Sequence, residues 1–549
     1  MRRSRVARLW NSLSTGGLLL GALFFAFSLT PSLLPRTYLT QGILSGCSLA
    51  AGYLTGVFGY WLWSYMELPM PRGRILRFVK LVATVICIIV AIVFLWRAAQ
   101  WQNTIREVMG LEPVPGAHPL EVGLIAIATF VILIALARLF GLTFRLISAQ
   151  AGRFVPRRVS NVIGAIAAVA LFWSLISGVL LQMILRAADS SYQQYDALIE
   201  PETRQPTDPL KTGSSTSLLE WDNLGRAGRE FISSGPTRLE LEAFSGRDAM
   251  EPVRVYVGLR SAETVEARAR LALEELKRVG GFDRSVLVVV TPTGTGWIDP
   301  SAMDSLEYLY NGDVASVAQQ YSYLASWLSL LVEPDYGADA ARALFSEVYG
   351  YWITLPRNYR PRLYLHGLSL GAMNSEQSTD LFEVIGDPFQ GALWSGPPYP
   401  SRLWRSLTAA RDPGSPAWLP RFRDGSFARF MNQDGAAEEP GSHWGPMRFV
   451  YLQYASDPVT FFGYRYLYRE PDWMKPPRGP DVSPDMRWYP IVTLLQLTVD
   501  MAMATTSPMG HGHVYAPAHY VDAWIEVTGI KGWSAEEIAR LKQHLAGRQ

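Results

Sequence analysis

Five apolar stretches, roughly 15–34, 41–63, 75–96, 119–140 and 159–185, crowd the first 186 residues of this 549-residue chain. Each is near the ~20 residues a helix needs to cross a hydrocarbon core. A water-soluble globule cannot bury five such helices and leave enough polar surface, so the N-terminal third reads as a membrane domain. A cleaved leader would account for the first stretch alone. The first two are rich in Gly and Ser, which fits a re-entrant or interfacial course as well as a span.

Basic residues alternate between the connections. Arg2, Arg3, Arg5 and Arg8 precede the first stretch. Arg72, Arg74, Arg77 and Lys80 lie near the second connection, and Arg138, Arg145, Arg153, Arg157 and Arg158 near the fourth. The other two connections carry Arg36, and Arg97 with Arg106. Positive loops stay in the cytoplasm, so five spans would place everything after Arg186 on the outer side; miscounting one span reverses that. Trp61, Trp63, Trp96 and Trp101 sit near span ends, as interfacial aromatics do. The central parts of the stretches are free of ionisable residues, so the bundle reads as an anchor rather than a transport path.

Residues 187–250 are polar, with Pro201, Pro206, Pro209 and a Thr-Gly-Ser run from Thr212 to Ser217, and read as a linker. From 251 to 549 strand and helix patterns alternate. Val253–Gly258, Ser285–Val290, Arg362–Leu365, Gln390–Trp394 and Phe449–Tyr454 read as strands. Helical patterns occupy 262–279, 314–332 and 338–353. Continuously apolar strands between helices predict a mostly parallel, doubly wound sheet with helices on both faces. A net charge of +2 argues against a nucleic-acid partner. The two cysteines, Cys47 and Cys87, both lie in the apolar third, so the second domain has no disulfide.

Gly367-Leu368-Ser369-Leu370-Gly371 follows the strand RLYLH and precedes a helix-compatible stretch. Strand, tight turn, helix is the setting that pushes a serine hydroxyl outward above a sheet. A serine needs a base, and the base an orienting acid. Asp457 sits in the exit loop of the Phe449–Tyr454 strand and suits the acid. Of seven histidines, His511 and His513 share one loop before the last helical region. We expect His513 as base with His511 the alternative, His519 structural, and His366 packed beneath the turn. Two N–H groups must receive the oxyanion. Leu370 supplies one, and the Gly-rich turn after the Ser285–Val290 strand supplies the other, with Thr295 the expected donor. A metal reading of the His-x-His pair lacks further ligands, and the Gly-rich turn lacks the Lys-Ser/Thr ending of a phosphate loop, so no metal and no cofactor are expected.

The segments TPTGTGWIDP, NGDVASVAQQYSYLASWLSLL, HGLSLG, ASDPV and GHGHVY resemble the bacterial integral-membrane α/β-hydrolases, which join a multi-span N-terminal domain to a C-terminal hydrolase domain. The resemblance covers most of the chain. It implies a triad of Ser369, Asp457 and one of the tandem histidines in a bacterial inner membrane, and it supplies no substrate. Between the last two expected strands, at about 397–446, lies an insertion with Trp404, Trp418, Phe422, Phe427, Phe430 and Trp444, read as a lid for an acyl chain or else as a surface insertion on the sheet. Three functions follow. The first is hydrolysis of a small-molecule or lipid ester beside the lipid bilayer, or acyl transfer by the same triad. The second is a transport or signalling membrane protein with a hydrolase-like binding domain, and the third a peptidase. The sequence sets no oligomeric state.

Overall fold

A computed structural model describes residues 13–69, 73–174, 203–324, 335–436 and 442–548. The chain divides into two compact units, one of Met1–Leu185 with Phe462–Thr506, the other of Arg186–Phe461 with Ser507–Gln549. The sequence leads to a single continuous second domain over 251–549. Instead Phe462–Thr506 leaves that domain between the expected acid and the expected base and folds with the N-terminal helices.

The first unit begins with helices α1 (Thr15–Ser28), α2 (Tyr38–Tyr65), α3 (Arg74–Val108), α4 (Pro119–Ala151) and α5 (Arg157–Trp173). Of these, α2, α3 and α4 are long and apolar enough to cross a membrane. Five spans were expected. But α1 has 14 residues, short of the ~20 a crossing requires, and the rest of the fifth stretch lies outside the described residues. The glycines of the first two stretches serve packing. A Cβ on Gly21 would lie 2.8 Å from the Leu49 carbonyl oxygen, and one on Gly56 2.8 Å from the Gly17 Cα, so α1 and α2 meet backbone to backbone. On another side of α2, a Cβ on Gly46 would lie 2.5 Å from Thr129 Cβ of α4.

The helix Val492–Ala502 closes this unit. It carries Asp500, and the side chains of both Asp500 and Arg36 are wholly buried, with Arg36 Nε 3.5 Å from Asp500 Oδ1. Asp500 also accepts from Ser32 Oγ at 2.8 Å and from the Leu33 N–H at 3.0 Å, while Arg36 Nη1 donates to Gln41 Oε1 at 2.8 Å. Arg36, counted from sequence as a loop charge, is thus half of an internal ion pair. Its partner, Asp500, lies near the far end of the sequence, beyond the reach of any local pattern. Phe27 stacks on Tyr489 at 4.2 Å, which adds an apolar contact to the same join.

The second unit is an eight-stranded sheet in the order β1-β3-β2-β4-β5-β8-β6-β7. Its strands are β1 (Val253–Val257), β2 (Val286–Thr291), β3 (Val314–Gln319), β4 (Arg362–Leu368), β5 (Gly391–Ser395), β6 (Ala428–Asn432), β7 (Gly435–Ala436) and β8 (Arg448–Leu452). All pairings are parallel except β6 with β7. Five strands lie where the apolar runs predict them. The helical pattern at 314–332 is overturned in its first part, which is β3, whose six residues VASVAQ are all buried between β1 and β2; residues 325–332 lie outside the described residues. Small residues enclosed on both faces show no alternation, so periodicity reads the run as helix. The helices flank both faces. Along β4, Tyr364 and His366 face α10 (Pro517–Thr528; α6–α9 are Val265–Arg278, Pro300–Leu309, Tyr336–Trp352 and Leu370–Glu376). Gly367 faces the other way, against α9.

The insertion read as a lid carries β6 and β7, which are part of the sheet. Phe430 stacks on Tyr451 of β8 at 5.0 Å, Trp404 Nε1 donates to Gln453 Oε1 at 2.7 Å, and Trp444 Nε1 donates to Glu526 at 2.9 Å. These three aromatics tie their part of the insertion to the sheet and to α10; residues 437–441 of the stretch lie outside the described residues.

Replacing Arg36 by Ala leaves Asp500 buried without its cation, and such losses cost about 3–5 kcal/mol. Thermal unfolding in detergent should show Arg36→Ala far less stable than the charge-free pair Arg36→Met with Asp500→Leu. Equal stability of the two would show that the pair does not hold this unit together.

Candidate active site

The turn after β4 is set by steric exclusion. Ser369 has φ 56° and ψ −125°, a region that costs a side-chain-bearing residue about 1–3 kcal/mol. It is held there by close neighbours. A Cβ on Gly367 would lie 2.4 Å from the Gly371 carbonyl carbon, and one on Gly371 would lie 2.2 Å from the Thr291 carbonyl oxygen at the end of β2. The Ser369 N–H donates to the Ser395 carbonyl at the end of β5 at 2.9 Å. Ser369 thus stands at the carboxyl end of a central strand, where open parallel sheets place their ligands.

Beneath it, His366 is fully enclosed, with Nδ1 2.8 Å from the Leu393 carbonyl. Burial pushes its imidazole down to about 4, so it is a neutral N–H donor that ties β4 to β5, as its place before the turn suggests.

Asp457 lies in the loop after β8 and is wholly buried. Oδ1 accepts from the Val459 N–H at 2.8 Å and closes its own turn. Oδ2 lies 2.7 Å from His513 Nδ1 and accepts from Tyr515 Oη at 2.8 Å. Next to this contact, Ser456 Oγ accepts from the Gly512 N–H at 2.8 Å. The dipeptide Ser456-Asp457 therefore grips the dipeptide Gly512-His513 at two adjacent points. The other ring nitrogen of His513, Nε2, is buried and has no hydrogen-bond partner among the described residues. Gly396 packs against this ring, since a Cβ there would lie 2.7 Å from His513 Cε1. Because Ser395 carries the Ser369 backbone bond and Gly396 carries the His513 contact, the serine and the histidine flank one dipeptide.

The tandem histidines part company. His511 is more open, with Nδ1 3.3 Å from the Met509 carbonyl, and makes none of the contacts that bind His513 to Asp457. His519 hydrogen-bonds the Tyr454 hydroxyl at 2.6 Å on α10 and holds that helix to the sheet. The Gly-rich loop touches the serine turn at Thr291 and Pro292. Pro292 has no N–H, and the Thr293 N–H is spent on the Trp297 carbonyl at 3.0 Å. Thr295 lies further along, its carbonyl accepting from Gln320 Nε2 at 3.4 Å. Tyr515, Ser456 and Gly396 were missed from sequence.

A strained serine on a strand-to-helix turn, beside a histidine oriented by a buried carboxylate, matches a known fold of hydrolytic enzymes. The chain belongs to the α/β-hydrolase family. The family model described as "Alpha/beta-hydrolase family" matches residues 253–541, and that described as "Alpha/beta-hydrolase family N-terminus" matches 29–236. No curated protein matches the chain. No solved structure matches it either. The family assigns this α/β-hydrolase a hydrolase-like function.

The buried, neutral His366 has a pH signature. Its folded value of about 4 lies below the ordinary 6.5, so the unfolded chain takes up the proton first. The stability His366 contributes is present above 6.5 and is lost as pH falls towards 4, about 3 kcal/mol at 1.36 kcal/mol per unit. Measured by thermal unfolding, the advantage of the wild type over His366→Gln should shrink by that order between pH 7 and 4. A constant difference would show that His366 does not carry this loss.

Proposed function

We propose that this chain is a membrane-anchored serine hydrolase that cleaves an ester, lipid or other acyl ester, through an acyl-enzyme on Ser369. The supporting observation is the pair of Asp457 Oδ2 and His513 Nδ1 at 2.7 Å, with the second ring nitrogen unengaged and the serine turn alongside.

In this reading His513 Nε2 takes the Ser369 hydroxyl proton as Oγ attacks the ester carbonyl carbon. The carbonyl electrons move to oxygen, and the oxyanion is received by the Leu370 N–H and by a donor from the Gly-rich loop, for which Thr295 remains the candidate. The carbonyl re-forms, the C–O bond to the alcohol breaks, and His513 returns its proton to the departing alkoxide. Water then attacks the acyl-enzyme with His513 again as base, releasing the acid and restoring Ser369. An alcohol in place of that water gives acyl transfer by the same steps.

The lipid preference rests on composition rather than on the insertion. A chain that carries three helices long and apolar enough to cross a membrane meets esters where lipids are. The same helices and the alternation of basic loops support a multi-pass anchor in the inner membrane of a bacterium, with the catalytic unit on its outer side.

A fluorophosphonate probe should label the wild type and fail on Ser369→Ala. His513→Ala should slow labelling by at least about a hundredfold, while His511→Ala should label within a few-fold of wild type. An unlabelled wild type would end the serine-hydrolase reading, and loss in His511→Ala alone would reassign the base. Product analysis with water or an added alcohol as acceptor separates hydrolysis from transfer. Reporters fused at the C-terminus should show alkaline phosphatase active and a green fluorescent protein dark. The reverse pattern would place the unit in the cytoplasm.

A further inference from the structure

Asp457 has one more donor than orienting His513 requires. The Tyr515 hydroxyl donates at 2.8 Å to Oδ2, the oxygen that also meets His513 Nδ1 at 2.7 Å. Thr460 Oγ1 lies 3.3 Å from that oxygen, and backbone N–H groups of Val459 and Thr460 occupy Oδ1 at 2.8 and 3.4 Å. The phenol is built in rather than draped over the site. Tyr515 is 2% exposed, its ring stacks on Tyr454 at 4.5 Å, and a Cβ on Gly396 would lie 2.9 Å from its hydroxyl oxygen. Its ring meets the His513 ring edge to face at 5.9 Å.

We propose that Tyr515 is a positioning residue that draws charge from Asp457 Oδ2 and so sets the pH at which His513 becomes a free base. The proposal rests on the triad reading of Ser369, Asp457 and His513, and deepens it. His513 and Tyr515 share one carboxylate oxygen, with Thr460 Oγ1 a longer third donor. Each lowers the negative charge the other feels, so the phenol weakens the hold of Asp457 on an imidazolium and favours the neutral ring. Burial, and then the Asp457 charge, keep the phenol protonated well beyond the ordinary tyrosine range, so it donates throughout the working pH. Among the described residues, Tyr515 faces Asp457 directly, and Tyr454 after β8 and Tyr520 on α10 face Tyr515. Of these, Tyr515 is the one bonded to the carboxylate. Tyr454 uses its hydroxyl on His519 and on the Ala516 N–H.

The test uses the full chain in detergent micelles with histidines labelled at Cε1. The His513 resonance is assigned by its loss in His513→Ala. Its titration midpoint is followed by NMR alongside the pH dependence of fluorophosphonate labelling. In Tyr515→Phe the ring packing is kept and the hydroxyl lost. The midpoint should rise by about one pH unit, and the acid limb of the labelling profile should rise with it. Thr460→Val removes the longer contact and should move both in the same direction by less, which preserves the test if Tyr515→Phe folds poorly. A purely structural role would lower labelling at every pH and leave the midpoint in place. An unmoved or lowered midpoint in both variants, or a His513 that does not titrate between pH 4 and 9 in the wild type, overturns the proposal. A midpoint that rises while the wild type never labels supports Tyr515 as the tuner and ends the serine-hydrolase reading instead.

Discussion

The carboxylate of Asp457 is bound from both sides by chain that the sequence separates widely. One oxygen closes the turn of Val459 and Thr460; the other meets His513 and Tyr515. Between those two stretches the chain leaves the hydrolase unit, builds Phe462–Thr506 into the other unit, and returns. A buried carboxyl group without hydrogen-bond partners is expensive, and these donors satisfy it. Satisfying that group also closes the excursion: the contacts that orient His513 are the contacts that bring the returning chain back to β8. Orientation of the ring and closure of the loop are one set of bonds.

The residues that announce themselves in the sequence are those whose roles are local. Ser369 is legible because its turn needs Gly367 and Gly371 within four positions, and both stand in van der Waals exclusion with their neighbours. Continuously apolar strands such as VLVVVT are legible because burial on both faces tolerates nothing else. β3 is not, because VASVAQ achieves the same burial with small residues that have no signature. β6 is hidden by Arg429, whose charge argues against a strand until it is seen bonded to Glu526 at 2.5 Å beneath the Trp444 ring. The choice between His511 and His513 turns on a partner 56 positions away, and the contact of the Gly-rich loop with the serine turn at Thr291 and Pro292 depends on backbone course alone. Neither is written in a local pattern.

The aromatic insertion shows how composition misleads. Six large aromatics near the site suggest an apolar wall, and the hydrophobic effect alone cannot say whether they face a substrate or a sheet. The polar handles decide it. An indole N–H must find an acceptor when buried, and those of Trp404 and Trp444 find Gln453 and Glu526, side chains of the domain itself. Once those bonds are made, Trp404 and Trp444 are committed to the fold.

The same logic governs where the chain can be divided. The two family matches meet near residues 237–252, which invites a cut there into a membrane part and a soluble part. The packing argues otherwise. Phe462–Thr506 lies inside the second match, yet its Asp500 bonds Ser32, Leu33 and Arg36, its Gln496 bonds Thr30, and its Tyr489 stacks on Phe27. A fragment beginning at 251 would keep the apolar helix Val492–Ala502 and lose every one of those partners, leaving a carboxylate and a hydrophobic face bare between Asp457 and His513. The first unit therefore completes a segment of the hydrolase chain whose Asp500, Gln496 and Tyr489 find these partners outside the second match.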